Sequence, residues 1–119
     1  MTILVVDGNA DAREIALMSL ELIGGFQVAG AKDGNEGLER AGDEAFGVVL
    51  IDPRIANLEE LMVPLHDEEI PIILFNPDNR PRSEIDSRAI GTIAKPFAPD
   101  LLPRQVMEIL KAHFDKHGV

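Results

Sequence analysis

Four apolar runs in this 119-residue chain each end in a side chain that can do chemistry. Ile3-Leu4-Val5-Val6 runs into Asp7, and Val48-Val49-Leu50-Ile51 runs into Asp52. Ile72-Ile73-Leu74-Phe75 runs into Asn76, and Thr92-Ile93-Ala94 runs into Lys95. Short apolar runs of this kind suit strands buried on both faces of a sheet. Parallel sheets carry their chemistry outside the carboxyl ends of their strands. Asp7, Asp52, Asn76 and Lys95 are therefore expected to share one pocket at that end. Carboxylates are hard oxygen ligands for a cation, and a lysine adds a point charge on a flexible stem. Taken singly, either aspartate would read as a helix cap or a solvated loop acid. The four strand ends together make the pocket.

The intervening stretches must position those ends. Residues 2–6 read as strand one, followed by Asp7-Gly8-Asn9-Ala10-Asp11, which holds helix-starting residues. Residues 12–23 read as helix one, with Ile15, Leu22 and the row Ala16, Leu20, Ile23 as its apolar face. Gly24-Gly25 stops it. Residues 26–31 are strand two, and Asp33-Gly34-Asn35 is a turn. Helix two runs from Asn35 or Glu36 to about Glu44, with Leu38 and Ala41 inward. Strand three is the run before Asp52. Residues 57–63 read as a short helix with Leu58, Leu61 and Met62 inward, and Pro64 is expected to end or kink it. Strand four is 71–75. Ser83-Glu84-Ile85-Asp86 resembles a capping box and predicts a helix of barely two turns, to about Ala89. Strand five is 91–95. The last helix runs from Asp100 to about His113, with Leu102, Val106, Ile109 and Leu110 inward. Strand and helix alternate five times, which predicts an α/β fold: a parallel, doubly wound five-stranded sheet flanked by five helices. The length suits one domain over residues 1–119, large enough for a core without staples.

Net charge is −10 and the sequence pI is near 4.6. That balance repels nucleic acid and anionic membrane surfaces. Tyr and Trp are absent and there are only five Phe, so platforms for stacking bases are lacking. Cysteine is absent, which excludes disulfides and thiolate metal sites. No signal peptide and no apolar run near ~20 residues is visible. The expectation is a soluble, cytoplasmic module that meets proteins or cations.

Ile3-Leu4-Val5-Val6-Asp7, Val48-Val49-Leu50-Ile51-Asp52 and Ile93-Ala94-Lys95-Pro96-Phe97, in this order and spacing, resemble the receiver domain of two-component response regulators. The resemblance is to the chemotaxis-regulator kind and covers essentially the whole chain. Lys95-Pro96-Phe97 is its most specific piece. It implies a flavodoxin-like sheet of strand order 2-1-3-4-5. It implies that Asp52 accepts a phosphoryl group from a histidine kinase or phosphotransfer protein in a phosphorelay. Asp7, Asp52 and the main-chain carbonyl of Arg54 would hold Mg²⁺. Lys95 would pair with the acids and then with the phosphoryl group, and Asn76 would face that group from strand four. Output would pass to a protein partner at the helix 4–strand 5–helix 5 face. The only catalysis implied is Mg²⁺-dependent self-phosphorylation and autodephosphorylation, not metabolism. Such transfer rests on positioning and on neutralising charge.

The departures from that pattern are informative. Gly8 stands where receivers carry a second acid, which implies weaker Mg²⁺ binding. Asn76 stands where a Ser or Thr hydroxyl is usual, although an amide also donates. Pro77 and Pro53 bring no N–H to places that usually offer one. Thr92 replaces a switchable aromatic ring, and Ile55-Ala56-Asn57 does not match the usual loop. The acceptor, one acid and the lysine remain while the phosphate cradle is eroded. The alternative reading is a pseudo-receiver adaptor that binds partners without phosphorylation, with Lys95 paired directly to Asp52 or Asp7.

Other signals are weaker. His113 and His117 have i, i+4 spacing but no third ligand, and His66 is a lone surface histidine. Arg80, Arg82 and Arg88 form a basic cluster that is either solvated surface or a docking face. Asp11, Glu14 and Asp67-Glu68-Glu69 read as solvated. Neither a flavin-phosphate loop nor a second Asp two residues after Asp7 is present, which argues against a small α/β enzyme.

Overall fold

The alternation of apolar runs and amphipathic stretches folds as a parallel sheet between two helical layers. The structure, a computed structural model, describes residues 1–117. Strands β1 (Thr2–Val6), β2 (Gln27–Ala31), β3 (Val48–Ile51), β4 (Ile72–Asn76) and β5 (Gly91–Ala94) form one sheet in the order β2-β1-β3-β4-β5, all parallel. Successive side chains of a strand point to opposite faces, so each strand feeds two cores. Leu4, Val6, Val49, Ile51, Ile72 and Leu74 face one way, and Ile3, Val5, Val48, Leu50, Ile73, Phe75 and Ile93 the other.

Among the described residues there are four α-helices, not the five expected: α1 (Ala10–Met18), α2 (Gly34–Asp43), α3 (Leu58–Asp67) and α4 (Leu102–His117). Leu61, Met62 and Leu65 of α3 cover the first core, and Ala16 of α1 with Leu102, Val106 and Leu110 of α4 cover the second. The missing helix is the short one placed after Ser83. Only a 3₁₀ turn, Arg82–Glu84, forms there. Arg88 pairs with Asp86 and reaches Glu59 on α3 (Nη2 to Oε1, 2.7 Å), so ion pairs hold this segment in place of helical hydrogen bonds.

Three further expectations need correction. Pro64 does not end α3, which continues to Asp67. Proline gives up its own N–H and crowds the carbonyl of Glu60, but the buried Leu61, Met62 and Leu65 on either side keep the helix seated. The inward face of the first helix holds Ala16, Ser19 and Leu20, while Ile15, Leu22 and Ile23 are exposed. Residues Ser19–Ile23 form a π-helical turn, whose wider spacing carries Leu22 and Ile23 off the apolar row. Leu38 of α2 is also exposed; that helix packs through Gly34, Gly37 and Ala41, letting the backbone approach the sheet.

Candidate functional site

The register of the sheet sets the site. Val6 pairs with Ile51, so the next residues, Asp7 and Asp52, leave neighbouring strands side by side. The ladder carries one step further, with the Asp52 N–H donating to the Val6 carbonyl at 2.9 Å and the Asp7 N–H to Ala31 at 3.0 Å. Both carboxylates are buried, at 2 % and 3 % exposure. Buried charges must be paired. Lys95, at the end of β5, supplies the partner: its ammonium bonds Asp7 Oδ2 and lies 2.8 Å from Asp52 Oδ2. The Phe75 ring supports the lysine, with Nζ 4.9 Å from its centroid, and Phe97 stacks on Phe75 at 5.6 Å. The other Asp7 oxygen accepts the Asn9 N–H at 2.9 Å. Asn9 in turn caps α1 by accepting from Ala12. Arg13, one turn into α1, donates to the Asp7 carbonyl at 2.7 Å.

The Arg54 side chain adds a contact that the expectation for its main-chain carbonyl did not include. Its guanidinium donates to both oxygens of Asp52, from Nε to Oδ1 at 3.0 Å and from Nη2 to Oδ2 at 2.8 Å. Its backbone N–H adds a third bond to Oδ1 at 2.9 Å, a donor that Pro53 cannot supply from its own position. Burial, the largest single influence, pushes the Asp52 carboxyl up, but the bonds from Arg54 and Lys95 together outweigh it. They hold Asp52 below the usual carboxylate range. Arg54 is raised in return by Asp52. Fork-to-carboxylate geometry of this kind is the strong form of such a bond. Nothing in the sequence pattern singled out this guanidinium; an Arg two residues past a strand-end acid was the available signal.

Asn76 lies at the end of β4, but its amide serves its own loop. It donates to the Arg80 carbonyl and accepts from the Arg80 N–H, each at 2.9 Å. Thus Asp7, Asp52, Arg54 and Lys95 are in contact, and the Asn76 side chain is tied up beside them.

The pocket as arranged does not suit a divalent metal. Its two acids are each already paired with a cation, and the described residues contain no group of three or more acidic or histidine side chains able to hold a metal. The His113 and His117 rings lie 4.6 Å apart between centroids, tilted by 46°, and no third ligand stands with them among the described residues. The arginine cluster is partly neutralised: Arg88 is paired as described, Arg82 donates to the Ala89 carbonyl, and Arg80 lies 3.7 Å from Asp78. No described helix is long and apolar enough to cross a membrane.

No family model matches the chain. It is 30 % identical over 125 residues to the probable transcriptional regulator ycf27 of Guillardia theta, covering 97 % of this chain and 49 % of that protein. The chain therefore spans about half the length of that relative. Among solved structures it is similar to the chemotaxis response regulator CheY4 of Vibrio cholerae (TM-score 0.78, 23 % identity, 91 % of this chain and 97 % of that one). It is also similar to the response regulator protein TrrA of Thermotoga maritima, solved in complex with Mg²⁺ and beryllofluoride (TM-score 0.77, 25 % identity, 91 % and 97 %). With the strand order, the strand-end acids and the lysine that follows β5, these likenesses agree: the chain has the fold of CheY-like response-regulator receiver domains.

Proposed function

We propose that this chain is the receiver module of a two-component or phosphorelay pathway, with Asp52 as phospho-acceptor and protein–protein contact as its output. The observation that carries the reading is the ammonium of Lys95 resting on both Asp52 and Asp7 at the carboxyl end of the sheet. A phosphohistidine donor would give its phosphoryl group to an Asp52 oxygen: the P–O bond forms, the P–N bond breaks, and the imidazole leaves with the electron pair and takes up a proton. Lys95 would follow the new charge. Magnesium help is weak in this reading, because Gly8 replaces a second acid. The partner face comprises the 77–90 segment, β5 and α4, and the acidic charge of the chain favours protein over nucleic acid there.

The test is intact-mass analysis after treatment with acetyl phosphate and Mg²⁺. One phosphoryl adduct, absent in Asp52→Ala, is expected. No adduct from acetyl phosphate or from a histidine kinase would sink the reading.

A second reading, a phosphate-independent adaptor, is favoured by one specific observation: Arg54 and Lys95 together engage both oxygens of Asp52. It predicts that partner binding survives Asp52→Ala.

A further inference from the structure

We infer that the guanidinium of Arg54 is a built-in counter-cation that competes with divalent metal for Asp52, and that metal binds only when this side chain swings out. The inference builds on the receiver reading for the identity of the competing ion, Mg²⁺, but concerns binding and not phosphoryl transfer.

The charges in direct contact support it. Asp7 and Asp52 bring two negative charges, and Lys95 and Arg54 bring two positive ones. Arg13 adds a further cation on the Asp7 carbonyl. A divalent ion is drawn to a site by uncompensated anionic oxygens, and this cluster has none left. An ion placed against Asp52 would also meet like charges within a few ångströms in a poorly solvated pocket, where repulsion is strong.

The two cations differ in how firmly they are held. The Lys95 side chain is 10 % exposed and rests on Phe75, whereas that of Arg54 is 61 % exposed. Lys95 is therefore the fixed charge of the pocket and Arg54 the removable one. Withdrawal of Arg54 frees Asp52 Oδ1 of its side-chain donor and leaves one net negative charge on the contacting acid–lysine set. The Arg54 carbonyl belongs to the main chain and stays wherever the side chain goes.

Replacing Arg54 thus tests the guanidinium alone, because Arg54→Ala keeps the carbonyl. Gly8→Asp is a companion change. A Cβ at Gly8 meets only the Lys32 carbonyl oxygen, at 3.7 Å, an ordinary contact, so the first side-chain atom there displaces no backbone. Mg²⁺ and Mn²⁺ titrations of the wild-type protein, Arg54→Ala and Arg54→Ala/Gly8→Asp, followed by calorimetry and by amide shifts around Asp52 and Lys95, supply the measurement. The expected result is at least tenfold tighter binding in Arg54→Ala than in wild type, and tighter again in the double variant. Binding in folded Arg54→Ala equal to or weaker than in wild type would overturn the inference, whatever Gly8→Asp adds. Because Arg54 is exposed, folding of the variants is expected, and Arg54→Gln provides the same readout with a neutral side chain of similar reach. Failure of phosphorylation would leave these titrations intact, so the two readings fail separately.

Discussion

Arg54 turns back on Asp52, two residues before it, and holds both of its carboxylate oxygens, at 3.0 Å through Nε and 2.8 Å through Nη2. A short loop beginning with Pro53 makes this return possible. The buried acid at the heart of the site therefore carries a partner from its own strand exit as well as Lys95 from the sheet edge.

That arrangement has a pH signature. The folded state holds the Asp52 carboxyl below its ordinary range. A group so depressed contributes stability above its unfolded pKa, and the contribution is lost as pH falls through the folded one. In Arg54→Ala, burial and Lys95 remain while the side-chain bonds go, so the Asp52 midpoint should rise. Carboxyl NMR of Asp52 and acid unfolding curves measure this: the variant should lose stability at a higher pH than wild type. An unchanged midpoint would show that Lys95 alone sets the charge state.

Lys95→Ala leaves the Asp7 carboxylate without its ion-pair partner, with Arg13 only on the Asp7 main-chain carbonyl, and leaves Asp52 with Arg54 alone. Removing one partner of a buried ion pair costs about 3–5 kcal/mol. Urea unfolding at neutral pH should show a loss of that order, and Asp7→Asn in the same background should recover part of it. A loss below about 1 kcal/mol would mean that water or Arg54 replaces the ammonium freely.

Much of this was legible because strand-end chemistry is written locally. The runs before Asp7, Asp52 and Lys95 mark buried strands, and parallel register then brings their ends together without further information. The helices were less legible where tertiary contacts override local signals. Pro64 reads as a terminator, yet Met62 and Leu65 on either side are buried and hold α3 together. Ser83-Glu84-Ile85-Asp86 reads as a capped helix, but Arg88 pulls Asp86 toward Glu59 on α3, a contact between residues distant in sequence. The π-helical turn at Ser19–Ile23 changes which residues face inward, which a fixed 3.6-residue period does not register. The Arg54 guanidinium is not legible for a related reason: backbone position follows from the strand, whereas side-chain direction depends on the loop.

Arg88 offers a test of the ion-paired segment. Its guanidinium, raised by Asp86 and Glu59, is bidentate to each. Arg88→Ala should release the 82–90 segment from α3 and speed amide hydrogen exchange of Ala89, whose N–H is bonded to the Asp86 carbonyl. High salt should produce a smaller change in the same direction in the wild-type protein, because exposed Glu59 is readily screened. Protection of Ala89 equal to wild type would show that the segment is held by Ile85 and Ala89 packing alone.

The loop that aims Arg54 depends on a glycine. At Gly34, the first residue of α2, a Cβ would lie 1.8 Å from the Asn57 carbonyl oxygen, and the Gly34 N–H donates to the Ala56 carbonyl at 2.8 Å. Asn57 itself sits in the left-handed region at φ 58°, so the loop has little freedom to yield. Gly34→Ala should cost about 1–3 kcal/mol, the usual range for overpacking. Gly42 in the same helix has nothing within 4 Å of its Cβ position. Gly42→Ala should therefore stabilise by about 0.5 kcal/mol, through chain entropy and helix propensity. Thermal melts of the two variants should move in opposite directions. The Asp52 carboxyl midpoint should rise in Gly34→Ala, because displacing Ala56 and Asn57 carries Arg54 off Asp52, and should stay fixed in Gly42→Ala. A Gly34→Ala protein that melts like wild type with an unshifted Asp52 would show that the loop relaxes without disturbing the Arg54–Asp52 pair.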